Sequence, residues 1–141
     1  MEASGTVYPK GQKHVKEGHV DHTDLRVMLL GDSYTFDDTD EYVADVAGDE
    51  HDGSGYSRVC LSNETIGITD DWVYVDAADD SFGSLQAGTN PVRWIVVYQH
   101  KTTDSDSILL CAWDLGTGCT PVGNDLSFFW PSTGLYRSKQ Q

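Results

Sequence analysis

Apolar positions along this chain fall in short runs rather than in a helical period. Residues 25–30 (LRVMLL), 72–75 (WVYV), 93–98 (RWIVVY), 108–115 (ILLCAWDL), 126–130 (LSFFW) and 135–136 (LY) are rich in β-branched and aromatic side chains. Each run is about strand length and is bounded by Gly, Asp, Asn, Ser or Pro, the residues that punctuate strands with turns. Residues 58–61 and 65–68 are weaker strand candidates. One stretch has helical spacing: Thr39 stands where a cap belongs, Tyr42, Val43 and Val46 share a face, and Gly48 ends the pattern. That predicts a short helix over 41–46. No longer segment of 3.6-residue period exists, which argues against a doubly wound α/β fold. The pattern predicts an all-β chain: a single antiparallel β-sandwich or small barrel with at most one short helix.

Outside the runs, residues 1–23 are polar and without period, and they read as an extended N-terminal arm. The β domain then occupies 24–137, and 138–141 read as a frayed tail. A length of 141 residues and a mass of 15.5 kDa suit one domain with a real core. No apolar run approaches the roughly 20 residues that span a bilayer. The N-terminus lacks the apolar stretch of a secretory signal, so synthesis in the cytoplasm is the expectation.

Charge narrows the partners. Nine basic residues stand against 23 acidic ones, a net charge of −14. Nucleic acid and anionic membrane surfaces are therefore not expected partners, because both need a basic patch. The acidity is concentrated: residues 32–80 hold fifteen acids against Arg58 alone. Such a region keeps copies apart and soluble; its functional readings are cation binding or docking on a basic surface. Three cysteines, Cys60, Cys111 and Cys119, suggest reduced thiols rather than a disulfide framework. Cys111 lies in an apolar run and reads as core, and a Cys111–Cys119 bridge across a short turn is the alternative.

Several motifs bear on chemistry. Residues 27–35 (VMLLGDSYT) run an apolar strand into Gly-Asp-Ser, which resembles the first block of the GDS-type (SGNH) hydrolases, with Ser33 as nucleophile. Gly123-Asn124-Asp125 resembles a later block of that family with one residue missing. A serine needs a histidine to take its proton, and the family supplies it from a C-terminal Asp-x-x-His. Here His51 and His100 are preceded, three residues earlier, by Gly48 and Val97. Ser33 therefore reads as a hydroxyl in a polar turn, and no catalytic residue is expected. His19-Val20-Asp21-His22 offers three ligand types, but no complementary pair follows at a zinc-site spacing. The acidic clusters at 37–41, 49–52 and 79–80 could supply calcium oxygens, and none matches an EF-hand loop. Neither a metal site nor a cofactor site is expected. The aromatics Trp72, Tyr74, Trp94, Tyr98, Trp113, Phe128, Phe129 and Trp130 read mainly as core, with Trp130 before Pro131 the candidate for an exposed contact.

The order of segments carries a further signal. Tyr8, Gly18, Asp21 and Asp24 precede Arg26–Leu30 with Tyr34-Thr35. Tyr42-Val43, Asp45-Val46, Glu50 and Gly53-Ser54-Gly55-Tyr56 follow. Then come 75–79 (VDAAD) with Phe82, 96–98 (VVY), 109–116 (LLCAWDLG) and 134–136 (GLY). This series resembles a family of small virion structural proteins of tailed bacteriophages across about residues 8–137. One departure is Ser57-Arg58-Val59-Cys60, where the family often carries a Gly-Gly pair.

The resemblance implies a structural virion protein and no enzyme. It implies most directly a capsid decoration (cement) protein on the outer surface of the head, with the major capsid protein and neighbouring copies, in a homotrimer for instance, as partners. The polar arm would lie on the capsid, with Tyr8, Lys10, Lys13, Lys16, His19 and His22 as contact candidates. Alternatives are a neck, collar, tail or head-fibre protein, or a sugar- or calcium-binding module of the adsorption apparatus.

Overall fold

The computed structural model describes residues 4–139. Ten strands and one α-helix follow in order: β1 (Ser4–Val7), α1 (Pro9–Lys16), β2 (Leu25–Gly31), β3 (Val59–Cys60), β4 (Thr65–Thr69), β5 (Trp72–Asp76), β6 (Asp80–Phe82), β7 (Val92–Gln99), β8 (Ile108–Cys119), β9 (Leu126–Phe128) and β10 (Tyr136–Lys139). The chain is all-β with antiparallel pairing. A central sheet runs β1-β8-β7-β2-β3, beside a sheet β10-β5-β4 and a pair β6-β9.

The central sheet is apolar on both faces, which explains why β2 and β7 read as continuous apolar runs rather than as alternations. One face packs on the two smaller sheets, so that Val27, Leu29, Ile95 and Val97 meet Val75, Phe82, Phe128 and Leu135 in one core. The opposite face holds Met28, Leu30, Trp94, Val96 and Leu109. No sheet covers it. Tyr8 and the segment 34–46 do, through Tyr34, Phe36, Val43 and Val46. A register shift between Val97 and Tyr98 leaves an extra residue in β8, and Leu110 and Cys111 both reach the first core.

Residues 4–23 differ from the extended arm expected over 1–23. β1 pairs antiparallel with β8, from Ser4 opposite Asp114 to Val7 opposite Cys111. Tyr8 is fully buried and donates its amide to Leu110 O at 3.0 Å. Pro9 then opens α1, where a missing N–H costs nothing. Polarity concealed this helix: Gly11 is its only buried residue, and it lies directly on Leu109 of β8. Residues 138–139, expected in a frayed tail, extend β10 opposite Val73 and Trp72. Residues 140–141 lie outside the described region, as do 1–3.

The helix expected over 41–46 is a 3-10 turn at Val43–Asp45. Its backbone is engaged elsewhere: Val43 N–H donates to Ser107 O at 3.0 Å and Ala44 N–H to Asp104 O at 2.9 Å. Asp45 turns back to accept the amides of Glu41 and Tyr42, both at 2.9 Å. Tyr42 is extended and bridges Ile108, so the turn opens only at Val43, and Val46 N–H closes it on Val43 O in the 3-10 pattern.

Candidate functional site

The six contact candidates part ways in the fold. Tyr8 is inside, and its hydroxyl meets that of Tyr34 at 2.9 Å, which in turn donates to Asp40 Oδ2 at 2.8 Å. Burial pushes both phenol pKa values well above the ordinary range and also raises Asp40. Tyr8 is thus a bolt between the N-terminal segment and the loop after β2, not a surface contact. His22 is half-buried and tied to Tyr136 Oη at 2.6 Å, with its pKa lowered by burial. Lys10 leans on Glu41 at 3.9 Å, while Lys13 and Lys16 are exposed on α1. His19 is exposed beside His14, their Nδ1 atoms 3.3 Å apart. The quartet 19–22 is therefore split. The grouping that does form joins His14, Glu17 and His19, whose ligand atoms lie within 4.8 Å of one another.

The acidic loops spend much of their charge on local structure. Asp37 accepts the amide and hydroxyl of Thr39, and Asp21 those of Thr23. Asp52 does the same for Thr89, thirty-seven residues away. Each of these three carboxyls is held below its ordinary pKa by the hydrogen bonds it accepts from its threonine. Asp21 and Asp37 thus close local turns, while Asp52 ties its loop to a distant one.

Arg58, the sole base of the acidic region, is the hub of an ion network. Its Nε and Nη2 donate to the two oxygens of Glu50, both at 2.8 Å, and Nη1 donates to Asp104 Oδ1 at 2.7 Å. The guanidinium also lies 5.6 Å from the centroid of the Tyr98 ring. It joins the loop after β2 to the β7–β8 loop.

Ser33 is exposed, and its hydroxyl donates to Asp49 Oδ1 at 2.8 Å. Of the two histidines that follow it in the chain, His51 is buried with Nε2 3.2 Å from Gln86 O. The three thiols are free: Cys60 is exposed, Cys119 half-buried and Cys111 buried, with burial pushing the Cys111 thiol up to about 12. Cys111 and Cys119 lie on the same strand, β8, and a rise of about 3.3 Å per residue keeps them far beyond bridging distance.

The most distinctive surface feature is an apolar groove of about 410 Å³ between β8 and the segment after β9. Trp113, Leu115, Leu126, Phe128, Phe129 and Trp130 line it. Trp130 is half-buried against Phe128, ring centroids 5.0 Å apart, and against Trp113 at 6.2 Å. Its indole N–H has no acceptor among the described residues. The exposed aromatic is Phe129, at 77%. Strand alternation explains the exchange: Phe128 faces inward at the end of β9, so its successor must face out.

No helix among the described residues is long and apolar enough to cross a membrane. Comparisons with family models, with curated proteins and with solved structures find no match for this chain.

Proposed function

We propose that this chain is a structural virion protein of a tailed phage, a decoration protein that binds the outer surface of the head and stabilises it. The observation that carries the reading is the ordered series of segments from Tyr8 to Tyr136 that resembles small virion proteins. Two features of the fold support it. The exposed Phe129, rimming an aromatic groove, is an adhesive face of the kind that protein contacts use. The net charge of −14 opposes tight self-association in solution, so copies are better placed by a lattice than by one another. The groove is assigned to the major capsid protein. The exposed Lys13 and Lys16 on α1 offer a second, electrostatic contact.

The test is co-sedimentation of the purified protein with undecorated heads. Wild type should saturate the particles. Phe129→Ser should weaken binding by roughly thirtyfold, the equivalent of about 2 kcal/mol for one buried aromatic, without lowering the melting temperature. Failure of the wild type to bind, or unchanged binding by Phe129→Ser, would overturn the assignment. The same groove favours one second reading, a sugar-binding module of the adsorption apparatus. Saturable quenching of tryptophan fluorescence by host-surface glycan would support that reading instead.

A further inference from the structure

We propose that His14, Glu17 and His19 form a surface site for a divalent transition-metal ion of the zinc type, with Glu41 orienting His14. The site begins with how α1 ends. Gly18 has φ of +79°, a left-handed conformation that suits glycine. Around it, His19 N–H donates to His14 O at 2.9 Å and Gly18 N–H donates to Val15 O at 3.1 Å. This is a Schellman cap. It folds the second residue after the C-cap back over the third from the helix end, a pair that is usually apolar. Here that pair is His19 and His14, and the C-cap itself is Glu17.

The resulting geometry suits a metal. The two Nδ1 atoms are 3.3 Å apart, and His19 Nδ1 is 3.8 Å from Glu17 Oε1. Two nitrogens each bound to zinc at about 2.0–2.1 Å with a tetrahedral angle stand about 3.4 Å apart. The two imidazoles thus already stand at the spacing that an ion would span. His14 also has the outer partner that metal-bound histidines characteristically have: its Nε2 is 2.8 Å from Glu41 Oε2. With Nε2–H donating to that carboxylate, the lone pair of His14 sits on Nδ1, facing His19. Two imidazoles and a carboxylate are a zinc-type donor set, harder than the thiolate sets of structural fingers and softer than calcium's all-oxygen shell. Three ligands leave a fourth position open to water or to a group from an adjoining surface.

The test is titration calorimetry of the full chain with zinc sulfate at pH 7.5, in a Cys60→Ser background so that the exposed thiol does not compete. One ion per chain should bind with micromolar affinity, and magnesium should give no heat. His19→Ala should abolish binding while leaving the melting temperature of the metal-free protein unchanged, because His19 does not touch the core. Glu41→Gln should weaken binding by about tenfold, as loss of an outer-shell carboxylate does. Cobalt substituted for zinc should show the visible absorption of a nitrogen- and oxygen-ligated ion, lost in His19→Ala. No saturable zinc binding by wild type, or equal binding by His19→Ala, would overturn the site.

Discussion

At the residue scale, one side chain can hold two loops because of where it is placed. Arg58 is three-quarters buried and meets Glu50 and Asp104 through paired hydrogen bonds. Exposed ion pairs contribute little, whereas breaking a buried one leaves an unpaired charge behind. Arg58 stands between these limits, so Arg58→Met should cost about 2 kcal/mol in a urea unfolding experiment. The pH dependence has a definite sign. Arg58 holds the Asp104 carboxyl below its ordinary value of 3.8, and Arg93 does the same for Asp114. A depressed folded pKa gives stability that is present above the unfolded pKa and is lost as pH falls through the folded one. Melting temperature should therefore fall below about pH 4, and Arg58→Met should lose less of it on acidification than wild type does. Asp40, raised by burial, works in the opposite direction. The number of acids was legible in the sequence, but their work was not. Asp52 serves Thr89, a partner that no local motif indicates.

At the element scale, the strands were legible and the N-terminal segment was not. The runs at 25–30, 72–75, 93–98 and 108–115 became β2, β5, β7 and β8 because apolar, β-branched residues between turn formers have few other uses. β1 (SGTV) and β6 (DSF) carry no such signal, and pairing with β8 and β9 is what makes them strands. α1 is the sharper case. Its sequence, PKGQKHVK, offers no apolar stripe, and a glycine inside a helix weakens it. Tertiary contact reverses that penalty: a Cβ on Gly11 would stand 1.8 Å from Leu109 O, so only glycine lets the helix lie on β8. Gly11→Ala, a gain in an isolated helix, should destabilise this protein by about 3 kcal/mol, the upper range for overpacking. Chemical denaturation checks it, and an unchanged midpoint would mean that α1 does not dock on β8.

At the scale of the whole molecule, a sheet buried on both faces explains how 141 residues with a net charge of −14 hold together. Apolar side chains fill two cores around β2, β7 and β8, and the acids are pushed to the loops that surround them. Leu109→Ala should cost about 2–5 kcal/mol through the cavity it leaves against Tyr8 and Met28. The candidate surfaces were less legible than the core, since exposure depends on which strand neighbour faces out. The place before Pro131 points to Trp130, yet Phe129 is the side chain in water. The His14–His19 pairing needed the helix and its cap, neither of which the polar sequence announced. Whether the chain sits on a capsid lattice is decided by counting its copies. Quantitative mass spectrometry of purified virions should find about one copy per major capsid subunit, or another fixed lattice ratio. Absence of the chain from the particle would overturn the assignment to the head.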